Sequence, residues 1–233
     1  MANELHAGSP RWLDVAPGRL PGWLASFEQR HGGPAREGEP PQRALDCVAF
    51  RAADGAVAEC HAPFPPLPPG ALSPAAIAAH ALADRLVGVL LVRLGGYAAG
   101  VFGPGQALLA SKVGSRLVHG RSAAGGQSQH RFARRREKQS REALGAAAST
   151  AAAVFAPWQG RLDAVVLGGD RRAIAGLADD PRLRPYFDLA VDRFLTVPDP
   201  RLAVLKGTPR QFCAIRIRLT EPARPAAAGA GPG

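Results

Sequence analysis

Lysine is almost missing from this chain: Lys112, Lys138 and Lys206 are three of 29 basic residues, and arginine supplies the rest. Alongside abundant Ala, Gly and Pro, this bias mostly reports a GC-rich coding sequence, although the planar guanidinium fork does suit phosphate. Cysteine is scarce as well. Cys47, Cys60 and Cys213 lie far apart, and no pair has the spacing of a metal-ligand motif. They are expected to be reduced, buried thiols of a cytoplasmic protein with neither metal nor cofactor. No stretch reaches the roughly 18 uninterrupted apolar residues of a membrane-spanning helix. Asp14 and several prolines stand where a secretory signal would need an apolar run, so no membrane partner is expected. Also missing is any Ser-His-Asp, Cys-His or paired-carboxylate constellation, which argues against a hydrolase that carries its own general base. No internal repeat is visible.

What remains is a chain of 233 residues with 46% hydrophobic content, enough for one large domain or a core domain with an extra layer. The net charge of +10 is unevenly spread. Residues 116–141 hold eight Arg or Lys against one acid, Glu137, so +7 of the +10 lies in that segment. Charge gathered in this way points to a face for a polyanion rather than to an ordinary solvated helix side.

Hydrophobic patterning and turn chemistry predict the elements. A short strand is expected over 11–15 and a helix over 21–30, with Trp23, Leu24 and Phe27 at helical spacing. Two apolar runs, 44–51 and 56–61, flank Asp54-Gly55 and read as a hairpin. The proline-rich stretch 63–69 reads as a stiff linker rather than a polyproline ligand. Ser73 caps a helix that begins at Pro74. Segments 85–94, 97–102 and 107–118 form an antiparallel meander that delivers a loop at its far end. A long helix is predicted over 128–155, a short buried strand over 164–167, and a helix over 171–177. Gly168-Gly169 before that helix is a tight turn more readily than a phosphate site, with Asp170 as the cap. Strands are expected over 189–197 and 202–219. The organisation expected is an N-terminal segment 1–40 with a docked helix, a main domain 41–221, and a tail 222–233.

The most informative stretch is 118–139, which reads Val-His-Gly-Arg-Ser-Ala-Ala-Gly-Gly-Gln-Ser-Gln-His-Arg-Phe-Ala-Arg-Arg-Arg-Glu-Lys-Gln. Gly125-Gly126-Gln127 is preceded by His119-Gly120-Arg121 and followed by Ser128-Gln129-His130-Arg131-Phe132-Ala133-Arg134. This window resembles the Gly-Gly-Gln motif in the middle domain of archaeal and eukaryotic class-I release factors. The extra Ser122-Ala123-Ala124 resembles the layout in actinobacterial members of the Vms-type, release-factor-like peptidyl-tRNA hydrolase family. The resemblance is tightest over 116–141 and extends over about 85–205.

The resemblance implies an α/β fold: a mixed, mainly antiparallel sheet with packed helices, like the release-factor middle domain, with N-terminal additions. It also implies a function, the release of nascent chains from stalled ribosomes or large subunits by hydrolysis of peptidyl-tRNA. Catalysis would fall on Gly125, Gly126 and Gln127. In the family, the glutamine N–H stabilises the transition state or leaving oxygen, and its side chain orients water. His119, Arg121, Ser128, Arg131, Arg134, Arg135, Arg136 and Lys138 would contact RNA. The expected partners are the large ribosomal subunit, peptidyl-tRNA and ribosomal RNA, engaged by a monomer. About eighty residues precede the meander, without an Asn-Ile-Lys-Ser-type tip, so stop-codon reading is not expected. Two other readings stay open: a tRNA endonuclease cutting near the 3′ end of peptidyl-tRNA, and a non-catalytic ribosome- or RNA-binding protein that uses the basic helix alone. Phe132 can stack on a base or anchor the helix in the core. His119 and His130 read as RNA-contacting or structural rather than as acid–base residues.

Overall fold

The computed structural model describes residues 9–35, 42–43, 46–93, 95–115 and 128–222. Its strands are β1 (Arg11–Val15), β2 (Gln42–Arg43), β3 (Cys47–Arg51), β4 (Val57–His61), β5 (Val87–Arg93), β6 (Gly96–Phe102), β7 (Leu108–Ser115), β8 (Ala164–Gly169), β9 (Ala190–Leu195) and β10 (Ile215–Thr220). The helices are α1 (Leu20–Arg30), α2 (Pro74–Leu82), α3 (Ser128–Phe155), α4 (Arg171–Ala175), α5 (Arg184–Phe187), α6 (Leu202–Gly207) and α7 (Pro209–Phe212). The chain divides into two compact units, one made of residues 1–82 and 213–233, the other of residues 83–212. A boundary near residue 40, suggested by the Gly/Pro/Glu-rich loop, does not coincide with this division. The reason is long-range pairing: β10 hydrogen-bonds with both β1 and β4, which ties the two ends of the sequence into one sheet.

That first sheet is antiparallel throughout, in the order β1-β10-β4-β3-β2. Along β10, Ile215, Ile217 and Leu219 are buried while Arg216 and Arg218 are exposed, the period of two that a sheet with one covered face requires. The β3–β4 hairpin turns at Asp54-Gly55, where Gly55 has φ +89° and the Asp54 carboxylate accepts the Ala56 N–H at 2.9 Å. Helix α1 buries Leu20, Leu24 and Phe27 in the same core, and α2 adds Ile77. The Ser73 hydroxyl accepts the Ala76 N–H at 3.1 Å, as its capping position predicts. In the proline-rich stretch, Phe64 and Leu67 are buried and anchor the segment on the core, while Pro65, Pro66, Pro68 and Pro69 are exposed. None of the three cysteines is in a disulfide; Cys47 is half-buried and the other two are buried. Burial, with a smaller effect from Cys47, pushes the Cys60 thiol up to about 12, so it stays protonated at neutral pH.

The second unit carries a mixed sheet in the order β7-β6-β5-β8-β9. Strands β5, β6 and β7 form the expected antiparallel meander, while β5–β8 and β8–β9 are parallel. Central β5 is buried at every residue except Arg93, because both of its faces are covered. On one face Leu90, Val92, Ala99 and Val101 pack with Ala147, Ala148, Ala151 and Phe155 of α3. On the other, Phe102 meets the Phe212 ring edge-on, with centroids 5.7 Å apart.

One sequence expectation is overturned. Residues 202–219 are not a run of strand: 202–207 and 209–212 are the helices α6 and α7, and only β10 is extended. Pro209 explains part of this, since it has no N–H for a ladder and its fixed φ suits the first position of a helix. Leu205 is fully buried, and it anchors α6, whereas Leu202 at the start of the helix is exposed.

Candidate functional site

The Gly-Gly-Gln segment joins β7 to α3. His119, Arg121, Gly125, Gly126 and Gln127 lie outside the described residues, which resume at Ser128, the first residue of α3. Ser128, Arg131, Arg134, Arg135, Arg136 and Lys138 all fall in the first three turns of that helix. Arg131, Arg134, Arg135, Lys138 and Arg141 recur at i, i+3, i+4, i+7 and i+10, and in a continuous helix this spacing puts them on one face. Lys138 and Arg141 are exposed.

The helix holds this basic end by anchoring the other. It has 28 residues, about 42 Å at 1.5 Å per residue. Burial rises along it: Lys138, Arg141 and Glu142 are exposed, Ala143 and Leu144 are half-buried, and Ala147, Ala148, Thr150, Ala151 and Phe155 are buried. The alanine-rich second half thus serves two purposes. Alanine has the highest helix propensity, and its small side chain lets the helix lie close on β5 and β6. Phe155 ends the helix against Tyr186, with ring centroids 5.1 Å apart.

Beside the middle of α3 lies a cavity of about 310 Å³ whose lining includes Arg93, Tyr97, Ser140, Leu144 and Arg172. It opens at the C-terminal ends of the parallel strands β5 and β8, the position where open α/β sheets commonly form crevices. Tyr97 faces Gly114 across the β6–β7 pair. A side chain at Gly114 would collide with the Tyr97 ring, so glycine leaves the ring its place. The sequence carried no signal for this cavity, because its residues come from a strand end, a hairpin, mid-helix and the α4 start.

Gly168-Gly169-Asp170 serves packing and capping. The Asp170 carboxylate accepts the N–H groups of Arg172 at 2.8 Å and Ala173 at 3.1 Å. Asp170→Ala is therefore expected to cost about 1 kcal/mol of stability, measurable by urea denaturation. A change indistinguishable from zero would show that the cap contributes nothing.

An α/β unit fixes the base of a long helix whose basic first turns follow Gly125-Gly126-Gln127 in the sequence. Residues 85–218 match the model of the family described as Actinobacteria/chloroflexi VLRF1 release factor (acVLRF1), more than half of the chain. The chain belongs to that family. Among solved structures, it is similar to the archaeal translation termination factor aRF1, at 13% identity, with a TM-score of 0.42, over 89% of this chain and 67% of that one. It is also similar to the Vms1 mitochondrial localization core, at 10% identity, with a TM-score of 0.40, over 77% of each chain. No curated protein matches the sequence. Among the described residues, no helix is long and apolar enough to cross a membrane.

Proposed function

We propose that this protein hydrolyses the ester of peptidyl-tRNA on the large ribosomal subunit, freeing nascent chains from stalled complexes without reading a stop codon. The observation that carries this reading is the basic helix α3, rooted in the core by its second half and entered directly from Gly125-Gly126-Gln127.

The reaction asks little of the protein's own acids and bases. Water attacks the ester carbonyl, and the C–O bond to the tRNA ribose breaks. The peptide leaves as a carboxylic acid, and the ribose oxygen recovers a proton. Two tasks fall to the protein: placing the water and stabilising the negative charge that develops on oxygen. Gly125 and Gly126 have no Cβ, so a narrow backbone tip can approach the ester closely. The Gln127 N–H serves the developing negative charge, and its side-chain amide orients the water. Protons pass through the ribose hydroxyl and ribosomal RNA, consistent with a segment that holds no paired carboxylates. His119 lies before the triplet and contacts RNA.

Arg121, Ser128, Arg131, Arg134, Arg135, Arg136 and Lys138 hold the tip in register by engaging phosphates, which position without reading sequence. Binding to large subunits should therefore weaken steeply with salt. Replacing Arg134 and Arg135 together by alanine is expected to weaken binding and reduce the slope of log K against log salt by about 1 to 2. An unchanged slope, measured by sedimentation at several salt concentrations, would remove those two side chains from the interface.

The deciding experiment incubates the protein with large subunits that carry a labelled peptidyl-tRNA, and analyses both products. Release of the peptide with the tRNA 3′ end intact is the expected result. A tRNA shortened at its 3′ end, with nucleotides left on the peptide, would instead establish a nuclease. Binding without release would leave an RNA-binding protein that uses the helix alone.

A further inference from the structure

We propose that Asp46, Cys47 and His61 form a binding site for a divalent cation of the zinc class, at the open end of the β3–β4 hairpin. Each of the three offers one ligand atom, and these atoms all lie within 4.8 Å of one another. The site is separate from the release chemistry and does not depend on it.

The backbone explains why these three side chains meet. Cys47 begins β3 and His61 ends β4, and the two are directly opposite in the antiparallel register. Such partners on one face of a sheet have Cβ atoms roughly 5 Å apart. Asp46 precedes the strand, where the chain bends, and its carbonyl accepts the Ala62 N–H at 3.0 Å. That bond holds the Asp46 backbone at the strand end and leaves its side chain to reach His61.

The separation of His61 and Asp46 fits a shared cation better than a hydrogen-bonded pair. His61 Nδ1 lies 3.5 Å from an Asp46 carboxylate oxygen, beyond the usual range for an N–H···O bond. In a tetrahedral zinc site, bonds of about 2.0–2.3 Å to N, O and S place neighbouring ligand atoms about 3.3–3.7 Å apart. The same imidazole has a polar atom to spare: Nε2 is buried with no hydrogen-bond partner. A cation shared with Asp46 would bond Nδ1, the imidazole nitrogen that faces the carboxylate. The donor set of thiolate sulfur, imidazole nitrogen and carboxylate oxygen suits a borderline ion such as Zn²⁺ rather than Ca²⁺ or Mg²⁺. The nearest basic strand neighbour, Arg216, is directed elsewhere. Its guanidinium lies 4.8 Å from the Trp12 ring centroid and 3.9 Å from an Asp14 carboxylate oxygen.

Three protein ligands leave a fourth position for water. The half-buried thiol and imidazole and the exposed carboxylate allow entry from solvent. Such an ion would close the hairpin at the end opposite its Asp54-Gly55 turn, fixing β3 to β4 where the ladder stops.

The test uses the full chain, reduced and stripped with a chelator, titrated with Zn²⁺ by calorimetry and with Co²⁺ by absorbance. The expected result is one bound ion, a thiolate-to-cobalt charge-transfer band in the near ultraviolet, and a higher melting temperature with Zn²⁺. Zn²⁺ should also protect Cys47 from alkylation, as read by peptide mass mapping. Cys47→Ser should abolish the cobalt band, and Asp46→Asn, at an exposed position, should weaken affinity about tenfold or more. Far-ultraviolet circular dichroism identifies any variant that has lost its fold. The proposal is overturned if the native chain binds neither ion, if a folded Cys47→Ser retains the band, or if Asp46→Asn binds as tightly as the native chain.

Discussion

Gln127→Ala is expected to lower the rate of peptide release by on the order of 10²–10³-fold with binding to the large subunit preserved. The size follows from what the substitution removes. The backbone N–H of residue 127 survives, so charge stabilisation at the leaving oxygen is retained in part. What is lost is the amide that places the attacking water, and misplacing a reactant by about 1 Å costs roughly 10²-fold. The kinetic signature is a fall in kcat with little change in KM, because the interaction is made chiefly in the transition state. Substitutions on the helix face should do the opposite: Arg134→Ala with Arg135→Ala raises KM and leaves the chemical step alone. Single-turnover release at saturating protein separates the two. Equal release by native and Gln127→Ala protein would sink the catalytic reading of the triplet, whatever the helix variants do.

The second large effect is on stability. Gly169→Ala is expected to destabilise the unit of residues 83–212 by about 3 kcal/mol or more. Gly169 has φ +102°, where L side chains rarely sit, and a Cβ there would run into the carbonyl of Val92 on the neighbouring strand. Val92 and Gly169 are paired across β5 and β8, and the same Val92 carbonyl accepts the Asp170 N–H at 2.7 Å. The added methyl group therefore forces apart the two central parallel strands. Gly160→Ala is the control: φ is +72°, but no atom lies within 4 Å of the added Cβ. There only the backbone preference is lost, about 1–2 kcal/mol. Denaturant midpoints for the two variants give the difference, and equal losses would mean that the strands yield to the methyl group.

How much of this was legible beforehand depended on whether the signal was local. The hairpin at Asp54-Gly55 was readable because its turn chemistry lies in adjacent residues. Helix α3 was readable to its bounds, since the alanine run and the basic stripe at i, i+3, i+4 repeat along one segment. The β5–β6–β7 meander followed from apolar runs separated by Gly-Gly and Gly-Pro-Gly. Residues 202–212 misled because a short apolar run has no period of its own, and Pro209 decided for helix only with Leu205 buried.

The sequence by itself determined the Gly-Gly-Gln triplet, a charge of +7 concentrated over residues 116–141 around it, and a resemblance to release-factor-like proteins. Those features are contiguous, so they survive without knowledge of what packs on what. Only the tertiary structure decided which sheet the last strand joins. β10 could extend either sheet by its alternating pattern, but its pairing with β1 and β4 closes the sheet of the first unit. The cavity beside α3 and the Asp46, Cys47 and His61 cluster are likewise tertiary. Cys47 and His61 are fourteen positions apart and match no ligand spacing. The antiparallel register alone puts them opposite each other.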